Sequence, residues 1–292
     1  MPTYRFKQVD AFTGRPFLGN PLAVVLDADD IDPVRMQRIA SWTNLSETTF
    51  VLRPSSASAD YRLRIFTPRG ELPFAGHPTI GSAHAVLEGG MVSSQTASLR
   101  QECLAGVLPL TVEGGGPDRH IFVRVPEAKA LSDHGEAAQA LSAALGAPIV
   151  TSPAPAAIAV GPTWLVALMD DVESVRRLEP DMTALGKLSR DLDVVGVNVF
   201  CVGSGEEAAV HVRSFAPAEG IPEDPVCGSG NATVAAYLAN TGMLEEVGDS
   251  YVASQGTEMG RDGEVFVRVR DGGRHIEIGG RAVTVIDGYI SL

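Results

Sequence analysis

Cysteine is scarce, with three in 292 residues. Cys103, Cys201 and Cys227 are widely spaced and contain no C-x-x-C, which speaks against a disulfide framework or a zinc site. Positive charge is also short: 23 Lys and Arg against 36 Asp and Glu give a net charge of −13. Nucleic-acid binding needs a basic face to meet phosphate, so no nucleic-acid partner is expected. No apolar run approaches the roughly 18–20 residues of a spanning helix, so no membrane partner is expected either. The opening MPTYRFKQVDAF lacks the unbroken apolar core of a signal peptide, and the expectation is a soluble, cytoplasmic protein. The six histidines include no H-x-x-x-H or H-E-x-x-H. His77 and His84 stand seven apart and could share a helix face, but they are not read as metal ligands.

What is present is turn-rich and globular: 45% hydrophobic residues, 31 Gly and 19 Pro. Short alternating runs such as YRFKQVDAF, YRLRIFTP, HIFVRVP and VFVRVR, bounded by Gly, Pro or Asp, predict strands. Helical spacing is rarer and falls on 33–43, 78–89, 135–145, 182–190 and 231–241. Strands and helices do not alternate regularly, so the fold class is α+β.

The chain also repeats itself. SETTFV (46–51), RIFTP (64–68) and GHPTIGSAHAVL (76–87) are followed in the second half by GVNVFCV (196–202), RSFAP (213–217) and GSGNATVAAYL (228–238). Phe50 aligns with Phe200, Arg64 with Arg213, and Gly76 with Gly228. Two pseudo-symmetric lobes are expected, each a mostly antiparallel sheet around a central helix. The first would cover 1–118, with 280–292 returning to it, and the second 119–279. The GGGPD at 114–118 is read as the crossing.

In both halves a glycine turn precedes the helix. The first N–H groups of a helix have no internal partner, and the helix dipole adds positive potential. Two such helix starts facing one cleft would suit a small carboxylate. The plainer reading of Gly76 and Gly228 is a tight backbone turn.

The halves differ where chemistry would sit. Glu47 aligns with Val197 and falls in an otherwise apolar, strand-like segment. Burial would raise its pKa into a range useful for proton transfer. The alternative is a strand-end carboxylate in a cap or ion pair. His77 and Ser229 occupy equivalent places after each glycine. His77 can shuttle a proton, and Ser229 is read first as a helix cap. Asp224 precedes Pro225, which forces an extended approach to the helix. It is a turn starter, a ligand for a substrate amine or hydroxyl, or a group that orients His77. The GSGNAT loop lacks both the G-x-G-x-x-G spacing and a Walker lysine, so a nucleotide site is disfavoured.

Four motifs, VDAFTGRPFLGNPLAVV (9–25), SETTFV (46–51), FTPRGELPFAGHPTIGSAHAV (66–86) and EDPVCGSGNATVAAYL (223–238), together resemble the phenazine-biosynthesis PhzF-like isomerase family, of the diaminopimelate epimerase-like fold superfamily. The resemblance spans both halves in order. It implies two pseudo-symmetric lobes with a cleft between them, a homodimer, and no metal or organic cofactor. It places the acid/base carboxylate on Glu47, a glycine–histidine pair on Gly76 and His77, an aspartate on Asp224, and the opposite helix mouth on Gly228 and Ser229. The implied activity moves a proton within a small anionic, possibly cyclic and unsaturated metabolite, as the namesake enzyme does with a dihydro-hydroxyanthranilate. Epimerases of the superfamily use a cysteine at each helix mouth. Cys227 stands at one such place, but Ala75 stands at the other. An amino- or hydroxy-acid epimerase using Cys227, and a non-catalytic binder of small carboxylates, are the alternatives.

Overall fold

Alternating and uninterrupted apolar runs both become strands. The computed structural model describes residues 1–203 and 208–292, which group into two compact units: Met1–Arg124 with Gly279–Leu292, and Val125–Ile278.

The first unit contains β1 (Thr3–Ala11), β2 (Asn20–Val25), α1 (Pro33–Thr43), β3 (Thr48–Leu52), β4 (Tyr61–Phe66), β5 (Glu71–Leu72), α2 (Gly76–Glu88), β6 (Ser98–Cys103), β7 (Gly106–Glu113), β8 (His120–Arg124) and β18 (Ala282–Ser291). Most pairings are antiparallel, including β1 with β2 and with β18, β3 with β4, and β6 with β7. β2–β3 and β4–β6 are parallel. β4 shows the period of two directly: Tyr61, Leu63 and Ile65 are buried while Arg62 and Arg64 are half-buried. Residues 114–118, expected as the crossing between lobes, form the turn between β7 and β8, which pair antiparallel.

Helix α1 starts on Asp32, whose side chain accepts from Arg35 N, with Pro33 in the first turn. It ends at Asn44, in the left-handed region at φ 55°. Its buried face, Met36, Ile39 and Ala40, packs with Phe50 and Phe66. Helix α2 has no polar face, since every residue from His77 to Leu87 is buried. It packs on β1, β2, β3 and β8. A Cβ at Gly81 would lie 2.7 Å from Leu22 Cδ2, so glycine is what lets β2 approach this helix.

The second unit contains β9 (Lys129–Asp133), α3 (Ala138–Leu145), β10 (Ala156–Ala159), β11 (Thr163–Leu168), α4 (Val172–Arg176), α5 (Met182–Asp191), β12 (Gly196–Val202), β13 (Val210–Ala216), β14 (Ile221–Asp224), α6 (Gly228–Thr241), α7 (Leu244–Val247), β15 (Ser250–Gln255), β16 (Gly263–Arg270) and β17 (His275–Gly280), whose last two residues fall in the first unit. β12–β13 and β15–β16 are antiparallel, while β11–β12 and β13–β15 are parallel. Leu141 and Leu145 of α3 and Leu185 of α5 share a core with Leu165, Val197, Val199 and Phe215 of the strands. Helix α6 is buried from Gly230 to Leu238.

The repeated R-x-F segments make the same local structure in each unit. Arg64 forks onto Glu71 at 2.7 and 2.6 Å, with its guanidinium 5.1 Å from the Phe66 ring centre. Arg213 forks onto Glu223 at 2.8 and 2.9 Å and lies 4.9 Å from the Phe215 ring centre. The bidentate carboxylate fixes the guanidinium plane over the ring.

The fold is thus mixed, with mostly antiparallel strand pairing. Both glycine-turn helices start earlier than their apolar spacing predicts: α2 at Gly76 rather than Pro78, and α6 at Gly228 rather than Asn231. Pro78 fits because N–H groups of the first turn need no intrahelical acceptor. The four- and five-residue helices α7 and α4 are too short to show a helical period. No helix of the described residues is long and apolar enough to cross a membrane.

Candidate active site

The predicted site residues fall into two groups, one in each unit. Glu47, Gly76 and His77 come together in the first. Asp224, Gly228 and Ser229 come together in the second.

Glu47 lies immediately before β3, not inside the strand as its apolar neighbours suggest. Its carbonyl meets Ala23 N at 3.5 Å, which ties it to β2. Thr49, two residues on, bonds Ser82 Oγ on α2 at 2.8 Å. These contacts hold the start of β3 beside the first turns of α2, and Glu47 Oε2 lies 3.2 Å from His77 Nε2. Both side chains are nearly out of water, at 13% and 6% exposure. The Glu47 atom has the distance of an ion pair without the alignment of a hydrogen bond. Burial pushes the Glu47 carboxyl up to about 7, against a smaller downward pull from Ser46. At neutral pH the group can therefore give or take a proton.

Asn20 Nδ2 approaches His77 Nδ1 at 3.4 Å. An amide nitrogen only donates, so Nδ1 is the acceptor, and the proton of a neutral imidazole rests on Nε2, towards Glu47. No side chain caps α2, whose N-cap is Ala75. The helix start at Gly76 and His77 therefore keeps its positive end for other use.

In the second unit, Asp224 ends β14 and accepts Val226 N across Pro225 at 3.0 Å. The cap of α6 is not Ser229, as expected from its residue type, but Cys227, whose Sγ accepts from Gly230 N at 3.3 Å. Ser229 instead accepts from Trp164 Nε1 at 3.1 Å and lies 3.5 Å from Cys227 Sγ. Burial, and secondarily the Asp224 charge, push the Cys227 thiol far up. The helix start does not offset this, so the sulfur stays a thiol that caps and packs.

Sequence reasoning passed over three residues here. Gln255, 1% exposed, accepts Cys227 N at 3.1 Å and Asn231 Nδ2 at 2.8 Å through Oε1, and donates to Ser214 Oγ and the Asp224 carbonyl. It locks the turn that carries Asp224 to the helix start. A signal existed, because the first unit has a counterpart: Gln101 accepts from Tyr61 and donates to Thr79 of α2. Trp164 and Asn20 carried no local signal, being 65 and 57 residues from their partners. Among the described residues no group of three or more His, Cys, Asp and Glu could hold a metal ion.

Comparison with known proteins shows the family of the chain. The family model PhzC-PhzF, described as phenazine biosynthesis-like protein, matches residues 9–288. A Schizosaccharomyces pombe protein named antisense-enhancing sequence 1 is 41% identical over 99% of each chain. The Pseudomonas aeruginosa trans-2,3-dihydro-3-hydroxyanthranilate isomerase is 34% identical over 98% of each. The crystal structure of a Bacillus anthracis phenazine biosynthesis protein of the PhzF family superposes with a TM-score of 0.86 at 29% identity, covering all of both chains. The chain belongs to the phenazine biosynthesis-like, PhzF family of isomerases.

Proposed function

We propose that this protein is a cofactor-free isomerase that moves one proton within a small carboxylated, cyclic and unsaturated metabolite, with Glu47 as the single acid/base. The observation that carries this reading is the Glu47–His77 pair, 3.2 Å apart, with a carboxyl pushed up to about 7. Substrates of the hydroxyanthranilate kind are supported by the 34% identity to an isomerase of that name.

In this mechanism the Glu47 carboxylate takes a proton from a ring carbon. The electron pair of the broken C–H bond spreads into the conjugated system and the substrate carboxylate. The now neutral Glu47 returns the proton to a second carbon on the same face, and the atoms balance without an external reagent. His77 Nε2–H steadies the Glu47 charge before the transfer. The uncapped start of α2 at Gly76 stabilises negative charge that develops on the substrate. In the second unit, the α6 start at Gly228 and Ser229 suits a carboxylate, and Asp224 suits an amine or hydroxyl. The proton relay contributes ~10²–10⁴-fold, so orientation and preorganised dipoles must supply the remainder. Each unit corresponds to one copy of the internal repeat, and the assembly is a homodimer. The elevated thiol pKa of Cys227 argues against two-base epimerisation.

The experiment is turnover of trans-2,3-dihydro-3-hydroxyanthranilate in D₂O, followed by NMR. Wild type should place deuterium, or move the original proton, between two ring carbons. Glu47→Gln should lose at least ~10²-fold in kcat while still binding the substrate. Unchanged turnover in Glu47→Gln refutes the role given to Glu47.

A further inference from the structure

The first unit holds a pocket lined by residues that the proton chemistry does not use. It is an open pocket of about 780 Å³, a volume typical of small-molecule sites. Leu87 of α2, Val92, Pro117 and Val283 give it apolar walls. Arg119, His84, Glu88, Thr284, Ser93 and Ser94 supply its polar residues.

Arg119 is the decisive residue. It follows the β7–β8 turn and is 8% exposed, yet none of the ion pairs among the described residues includes it. Its Nη2 reaches the Ser94 carbonyl at a long 3.5 Å, and its buried Nε meets no acceptor among the described residues. A buried cation without a counter-ion is costly, and an orphaned N–H adds to that cost. Glu88 also lines the cavity but is engaged by Lys7 Nζ at 2.9 Å and by Thr284. Lys7 in turn is shared with Asp287 at 2.7 Å. The neighbouring His84 is held down to about 4 by burial, despite Glu88 and with help from Arg119 and Lys7, so it is neutral. Thr284 donates to Glu88 and lies 3.3 Å from His84 Nε2, so what the pocket offers is the guanidinium, without an ion pair, against apolar walls.

We propose that this cavity is a binding site for a small monoanionic carboxylate with an apolar body. The Arg119 guanidinium lines the pocket without a carboxylate partner, and a ligand carboxylate can accept from its Nη N–H groups. Glu88 beside it disfavours a dianion, which argues for carboxylate over phosphate. The site shares helix α2 with the catalytic pair, since His84 lies seven residues, or about 10 Å of helix rise, beyond His77.

Benzoate and inorganic phosphate, titrated separately into the full chain with the imidazole and methyl resonances observed by NMR, test this. Benzoate should saturate a site that shifts His84, Leu87 and Val92. Arg119→Gln should weaken that site at least tenfold and leave basal turnover unchanged. Val92→Trp, which adds bulk at the pocket wall and keeps the guanidinium, should abolish it, and this keeps the test valid should Arg119→Gln fold poorly. The proposal is overturned if benzoate shifts only resonances around Glu47 and His77, if both variants bind as wild type does, or if phosphate saturates the site and benzoate does not.

Discussion

Glu47 and His77 meet at 3.2 Å, oxygen to nitrogen, with both side chains withdrawn from water. Thirty residues apart in sequence, they are brought together by the start of a strand and the first turn of a buried helix.

The elevated Glu47 pKa has a consequence for stability. Its folded value of about 7 lies above the usual 4.5. Between those values the folded state keeps a proton that the unfolded state has released. The stabilisation is full below about pH 4.5 and is lost as pH rises through 7, by on the order of 3 kcal/mol at ~1.4 kcal/mol per pH unit. Glu47→Gln cannot ionise, so its stability relative to wild type should rise between pH 5 and pH 8. Urea unfolding of both proteins at the two pH values measures this, and parallel pH dependences would refute it.

Breaking the two arginine forks should not cost the same. Arg213 is 5% exposed and also donates to the Val175 and Leu178 carbonyls at 3.1 and 3.0 Å. Removing its carboxylate with Glu223→Ala leaves a buried charge and should cost about 3–5 kcal/mol. Glu71→Ala should cost clearly less, because the Arg64 side chain is 17% exposed and can reach water. Chemical denaturation of the two variants gives the comparison directly.

Cys227 should prove dispensable for chemistry. Cys227→Ala removes the Sγ cap on Gly230 N and should cost about 1 kcal/mol of stability. Turnover should fall by less than about tenfold, well short of the ~10²-fold expected from deleting a proton-transfer group. A disulfide-exchange reagent should modify Cys103 first in the native protein, because Cys201 and Cys227 are buried.

Gly230 should not tolerate a side chain. A Cβ there would lie 2.7 Å from Asn198 Oδ1 and 2.8 Å from Ser214 Oγ. Gly230→Ala should destabilise by about 1–3 kcal/mol through overpacking at the start of α6. Differential scanning calorimetry would detect it as a lowered Tm.

Much of this was legible in the sequence, for identifiable reasons. The strand of YRLRIF shows in its alternation, and the helix at Pro33–Thr43 shows in its spacing and its Asp-Pro start. Family membership was carried by four motifs that span the chain. Features fixed by distant partners were not legible. Nothing near Ser229 announces that Trp164 will take its hydroxyl and leave the capping to Cys227. Nothing near Glu47 says that the strand begins one residue later. Arg119 reads as an ordinary charge in a turn, and only its burial against α2 and β18 residues sets it apart.

The pairing of β1 with β18 places Thr3 opposite Ser291. During synthesis the second unit, continuous from Val125 to Ile278, has all of its chain before β18 has been made. Until β18 is made, one edge of β1 in the first unit has no strand to pair with. The half of the molecule that is made first is therefore the half that is finished last, and the Glu47–His77 pair belongs to it.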